Sequence, residues 1–260
     1  MFCVVLASCQ KEYNVPDFVM EVPSNGLVKA YKLVHGDEPG KAYFTRFQYD
    51  SSKRVTTVFS IELDSTVSPI KRDTFMVENF IYNGSNALPD KLVTGYYTTK
   101  DTSYYKYDNA GRLISDSTVS LGLTVLTKNI TYTGTGFKVF TKKTGAANLS
   151  DSIVISADNM VLFERQIPGY SQYTQTVQLG YEGIDNPLYV QNIRPVRFHT
   201  DLSDFGWPFY SSKNALKTYT QSGYQSGSFT AVNTLNNAGK LVKQTVSQSG
   251  KTALEITYEY

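Results

Sequence analysis

Apolar and polar residues alternate along most of the chain, in short runs rich in Val, Thr, Tyr and Ile, as in Leu123–Tyr132 and Thr252–Tyr260. A period of two puts one set of side chains on a buried sheet face and the other toward solvent, which is the signature of a half-buried β-strand. Two kinds of turn interrupt these runs. The first follows an aromatic residue and is clearest in Tyr107-Asp108-Asn109-Ala110-Gly111-Arg112-Leu113. Related copies are Phe47-Gln48-Tyr49-Asp50, Phe80-Ile81-Tyr82-Asn83-Gly84, Ile130-Thr131-Tyr132-Thr133-Gly134 and Leu235-Asn236-Asn237-Ala238-Gly239-Lys240-Leu241. The second lies midway between these, at Ser68-Pro69, Lys100-Asp101, Leu121-Gly122, Gly145-Ala146, Pro168-Gly169 and Ser249-Gly250. Asp, Asn and Gly supply the left-handed backbone that tight hairpin turns need. The unit is therefore a hairpin repeating about every 25 residues, and hairpin spacing predicts about fifteen strands, nearly all antiparallel. The fold class is all-β: one long meander forming a single twisted sheet that curls into an open half-barrel.

The spacing fails once, between Tyr181 and Leu235. An insertion at about 186–216 holds Trp207, which is the only tryptophan, together with His199, Pro187, Pro195, Pro208 and the run Asp201-Leu202-Ser203-Asp204-Phe205. A short helix is expected from Thr200 to Phe205. Insertions in repeat folds tend to map to the working face, so Tyr189, His199, Trp207, Phe209 and Tyr210 are candidate binding residues. The competing reading is a plug, with Trp207, Phe205 and Phe209 packed over an open end of the sheet.

The start of the chain, Met1 to Cys9, is a short apolar run ending in Leu6-Ala7-Ser8-Cys9. It resembles a bacterial lipobox, which implies residues 1–8 as a signal-peptide remnant and Cys9 as the lipidated residue. Residues 9–26 would then be a tether and 27–260 a single β-repeat domain. Acyl chains on Cys9 would hold the protein to a membrane without a spanning helix. Gln10-Lys11-Glu12 resembles the short charged signal that marks surface display in Bacteroidota lipoproteins.

Composition narrows the function. With 25 Lys+Arg against 23 Asp+Glu the net charge is +2. The basic residues are scattered singly, which argues against nucleic acid as a partner. Hydrophobic residues make up 41%, enough for a sizeable core. Twenty tyrosines are unusual, and many fall in pairs of one spacing: Phe47/Tyr49, Phe80/Tyr82, Tyr105/Tyr107, Ile130/Tyr132, Leu179/Tyr181 and Ile256/Tyr258. Each pair shares a sheet face, so stacked hairpins align the tyrosines in a ladder, which either packs or stacks sugar rings.

Catalytic and metal signatures are weak. Gly250-Lys251-Thr252 lacks the upstream glycine and the strand-to-helix context of a phosphate loop, and reads as a hairpin turn. His35 and His199 are the only histidines, so neither a metal site nor a cofactor is expected. A hydrolytic site could only be built on His199 with Asp201 or Asp204. Asp64-Ser65-Thr66, Asp116-Ser117-Thr118 and Asp151-Ser152-Ile153 resemble Bacteroidota O-glycan acceptor sequences, or are polar strand residues that repeat with the fold.

The lipobox, the serial Tyr-Asp/Asn-x-x-Gly-Arg/Lys-Leu hairpins and Asn186-Pro187-Leu188-Tyr189 together resemble a group of uncharacterised Bacteroidota surface lipoproteins over about residues 27–260. That resemblance implies a fold and an address in the outer membrane, at the cell surface or on the periplasmic face, and no chemistry. The expected function is a non-enzymatic, lipid-anchored binding module for a glycan, peptide or partner protein, with a surface hydrolase as the alternative. A membrane-spanning barrel is disfavoured, because alternation along Val161–Ile167 would place Arg165 in lipid.

Overall fold

A computed structural model describes residues 27–96, 99–189 and 212–260. Among these residues the chain forms sixteen strands: β1 (Ala30–His35), β2 (Lys41–Tyr49), β3 (Val55–Asp64), β4 (Lys71–Ile81), β5 (Lys91–Tyr96), β6 (Thr99–Tyr107), β7 (Leu113–Ser120), β8 (Leu123–Tyr132), β9 (Gly136–Lys143), β10 (Leu149–Ser156), β11 (Asn159–Gln166), β12 (Gln175–Asp185), β13 (Asn214–Gly223), β14 (Gly227–Leu235), β15 (Leu241–Gln248) and β16 (Lys251–Glu259). One short 3-10 turn, Ser171–Tyr173, precedes β12. The expected helix at Thr200–Phe205 lies outside the described residues.

Every strand pairs antiparallel with its neighbour in sequence, and β1 pairs with β16. The sheet is thus a closed barrel, not the open half-barrel expected from the repeat. Alternation within a hairpin is the same in either case. What closes the ring is the long-range register Tyr31↔Tyr258 and Leu33↔Ile256, which local periodicity does not encode. An even strand number lets an up-and-down meander close antiparallel, hence sixteen strands and not fifteen.

All sixteen strands contribute inward-facing residues to one apolar cluster, among them Tyr31, Phe47, Phe80, Ile130, Ile153, Val177, Val246 and Ile256. The residues between them face out. On β8, β12, β13 and β16 these are Thr127, Asn129 and Thr131; Thr176 and Gln178; Thr218, Thr220 and Ser222; and Glu255, Thr257 and Glu259. Outward apolar residues such as Phe44, Phe59, Val77 and Val93 concentrate on β2–β5, so the described residues form no continuous apolar band around the wall. Arg165 is not on the outer face where a spanning barrel would put it. It lies on the same inward face as Phe163, and the outward positions of β11 are Leu162, Glu164 and Gln166.

Because the meander is regular, its turns divide between two ends. The Tyr-Asp turns lie with the start of β1 and the end of β16 at one end. The β1–β2, β3–β4, β5–β6, β7–β8, β9–β10, β11–β12, β13–β14 and β15–β16 turns form the opposite rim.

Candidate functional site

Three arrangements compete for a functional role, and the tyrosine ladder is the first. Asp108 Oδ1 accepts from the backbone N–H groups of Ala110 (3.0 Å) and Arg112 (2.9 Å), and its Oδ2 accepts from Arg112 Nε at 2.8 Å. Those bonds, the Arg112 backbone N–H foremost, hold the Asp108 carboxyl below its usual range. Asp50 and Arg54 repeat the arrangement, and Asn236 does so with the N–H groups of Ala238 and Lys240. The cation then reaches the next hairpin: Arg54 stacks over Tyr82 and Arg112 over Tyr132, both at 4.5 Å, and Lys240 sits over Tyr260 at 4.7 Å. Each of these tyrosines donates its hydroxyl to the carbonyl that follows the cation. The acceptors are Val55 (2.6 Å), Leu113 (3.1 Å) and Leu241 (2.7 Å). Tyr49, Tyr107 and Tyr181 likewise donate to the carbonyls of Val28, Pro89 and Met160.

The ladder is a set of latches between consecutive hairpins, which decides between the packing and sugar-stacking readings in favour of packing. It also shifts the last pair: Tyr260, not Tyr258, holds the latch position. Tyr258 is buried inside the barrel and donates to Gln244 Oε1 at 2.5 Å, and burial pushes its hydroxyl well above the usual range.

The second arrangement is a row of buried charges on the inner wall. Asp116 on β7 and Asp151 on β10 are each 1% exposed, and Lys128 on β8 is 5% exposed. Arg165 Nε and an Arg165 terminal nitrogen donate to the two Asp151 oxygens at 2.8 and 3.0 Å. Lys128 Nζ lies 4.0 Å from Asp116 Oδ2, while Asp116 Oδ1 has no hydrogen-bond partner among the described residues. Burial, only partly offset by Lys128, pushes the Asp116 carboxyl up to about 6. Burial likewise raises Asp151 against the opposing Arg165 guanidinium. Nearby, the Ser103 and Thr118 hydroxyls are 2.8 Å apart. Two of the three Asp-Ser/Thr sequences thus commit their acids to the interior. The row holds the Arg165–Asp151 charges in bidentate geometry on the inner wall.

The third arrangement is the rim opposite the termini. Tyr173, on the 3-10 turn, meets Tyr224 of the β13–β14 turn edge-on at 4.9 Å, and Tyr170 lies 6.2 Å from Tyr173. Gly223 makes this approach possible, since a Cβ there would sit 2.1 Å from the Thr174 carbonyl oxygen. Gln175 Nε2 donates to the carbonyls of Ser222 and Gln225, and its Oε1 accepts from the Gln225 N–H, fixing the two turns together. Beside the β13–β14 turn on the same rim, a cleft of about 570 Å³ is lined by His35, Asp37, Phe229, Gln248, Lys251 and Leu254. His35 ends β1, edge-on to Tyr43 at 5.7 Å, and of Gly250-Lys251-Thr252 only Gly250 lies in the β15–β16 turn, Lys251 and Thr252 opening β16.

Of the binding residues read from the insertion, His199, Trp207, Phe209 and Tyr210 lie outside the described residues, as do Cys9, Asp201 and Asp204. Tyr189 is half-buried, and its N–H donates to the Asn186 carbonyl at 3.1 Å. The described feet of the insertion are fixed to the Tyr-Asp end. Asn186 Nδ2 donates to the Ser212 carbonyl, and the Ser212 hydroxyl donates to the Tyr181 oxygen.

The rim escaped the sequence reading because its residues sit in unremarkable turns. Leu121-Gly122 held the one visible signal, a leucine where the turn favours Asn or Asp.

No family model and no curated protein matches the chain. Two solved structures share its fold over nearly its whole length. A porin-like protein from Bacteroides uniformis aligns with TM-score 0.61 and 12% identity over 89% of this chain and 96% of that one. A porin-like protein from Bacteroides vulgatus aligns with TM-score 0.58 and 12% identity over 90% and 98% respectively. The chain is similar to these Bacteroides proteins in fold.

Proposed function

We propose that the chain is a non-enzymatic, lipid-anchored protein of the outer membrane, displayed at the cell surface, whose closed barrel is a binding module for a glycan or a protein. The observation that supports this most is the orientation of the wall: apolar residues from all sixteen strands point inward, while polar residues occupy the outward positions around most of the ring. A bilayer-spanning barrel has the opposite arrangement, an outward apolar band with a polar interior. A barrel of this polarity needs another means of membrane attachment, and Cys9 supplies one.

Metabolic labelling with a palmitate analogue tests the anchor. The parent chain is expected to take up label and to fractionate with membranes. The Cys9→Ser chain should lose both properties, stay soluble without detergent and add no conductance to a planar bilayer. A Cys9→Ser chain that required detergent and conducted ions would overturn the reading. Protease treatment of intact cells separates surface from periplasmic display.

A further inference from the structure

We infer that the rim opposite the termini is a docking surface for a lipid bilayer bearing anionic headgroups. The inference rests on the water-facing wall proposed above. The most exposed large apolar residues among those described are Leu121 (88%), Leu123 (71%), Val232 (68%), Ile70 (64%) and Tyr224 (63%). Four of these five stand at the rim; Val232 alone lies on the wall. Val67, Tyr96 and Tyr170 add further exposed apolar surface there, so five of the eight rim turns carry an apolar tip.

Leu121 is the most informative residue. It occupies the turn between β7 and β8 with φ +49°, followed by Gly122 at φ +80°. That turn favours Asn or Asp at its first position, because a bulky side chain crowds the backbone in the left-handed region. A leucine there carries a conformational cost and, among the described residues, leaves nearly its whole side chain exposed. Both costs are recovered if the side chain leaves water on docking.

The occupant follows from shape and charge. The apolar groups are separate tips at one end of a barrel, which a flat, deformable surface meets together. They mix aliphatic residues with tyrosine, the combination that settles at the boundary between headgroups and acyl chains. From the β3–β4 turn to the β9–β10 turn, the exposed charges flanking these tips are Lys71, Arg72, Lys100, Lys142 and Lys143, while the acids nearby, Asp64, Asp73 and Asp101, are half-buried. Such cations reach anionic headgroups while their stems lie along apolar surface.

The test uses the Cys9→Ser chain and two vesicle preparations, phosphatidylcholine alone and phosphatidylcholine mixed with phosphatidylglycerol. Co-sedimentation is expected with the mixed vesicles, weakened by salt and by omitting phosphatidylglycerol. Leu121→Asn suits the turn better than leucine, so it is expected to leave the thermal midpoint unchanged or higher while lowering vesicle affinity by about tenfold or more. Val232→Thr, on the wall, should change neither. A soluble Cys9→Ser chain that ignores both vesicles, or a Leu121→Asn variant that binds as the parent does, would overturn the docking surface alone. A rim that instead mediates self-association, seen as loss of a dimer in Leu121→Asn, would overturn it too. A Cys9→Ser chain that inserts and becomes detergent-dependent would overturn the water-facing wall itself.

Discussion

Arg112 spans two hairpins: its guanidinium holds the Asp108 carboxylate of its own turn and lies 4.5 Å from the ring centre of Tyr132 in the next. Tyr132 in turn donates its hydroxyl to the carbonyl of Leu113, the residue after Arg112. Removing only that hydroxyl, in Tyr132→Phe, should cost about 1 kcal/mol of unfolding free energy. Arg112→Ala loses the stack and the turn contacts, at about 1 kcal/mol for a partly exposed pair. Urea unfolding of the two single variants and the double variant should show losses that fall short of additivity. Strict additivity would mean that the two residues act independently.

Arg165 and Asp151 form a bidentate pair deep in the wall. Arg165→Leu strands a buried carboxylate and should destabilise by about 3–5 kcal/mol, whereas Asp151→Leu with Arg165→Leu should recover much of the loss. Chemical denaturation of the three variants checks this. A double variant as unstable as Arg165→Leu would show that packing, not the orphaned charge, dominates.

Asp116 makes stability depend on pH. Its carboxyl sits at about 6 in the folded chain against an ordinary 3.8. Between those values the folded state keeps a proton that the unfolded state has lost, so stability falls as pH rises from 4 to 6 and is level above. The accumulated loss at pH 7 is about 3 kcal/mol. Asp116→Asn should therefore match the parent near pH 4 and exceed it at pH 7, as read from urea titrations at the two pH values. An unchanged slope would assign the titration to a different group.

Gly134 and Gly136, two residues apart in the β8–β9 hairpin, should respond very differently to an added methyl group. A Cβ on Gly136 would sit 1.9 Å from the Ile153 carbonyl oxygen, whereas one on Gly134 meets nothing within 4 Å. Thermal melts should place Gly134→Ala within about 0.5 kcal/mol of the parent and Gly136→Ala several kcal/mol below it. Equal melting of the two would mean that β9 and β10 can separate locally at little cost.

Much of the fold is readable from the chain because each hairpin is specified locally. Alternation in Leu123–Tyr132 and the turn at Asp108–Arg112 need no information from elsewhere, and both stand where the pattern puts them. Closure is different, since Tyr31↔Tyr258 is a pairing between the two ends of the repeat and leaves no mark on the spacing within it. The face of Arg165 is not legible in the chain for a related reason. Its alternation with Phe163 is plain, but alternation alone does not say which face of a closed sheet is the inside, and the acid that accepts it lies on another strand. The rim depended on exposure, which turn chemistry alone does not report, apart from the leucine in the left-handed position at 121.

Pairing β1 with β16 leaves every strand of the barrel with two hydrogen-bonded neighbours, so the sheet has no free edge. A partner strand therefore cannot add to it through main-chain hydrogen bonds, the route by which many open sheets capture extended peptides. Contacts with any other molecule are thereby confined to the side chains of the wall and to the turns and loops at its two ends, with the ring left intact.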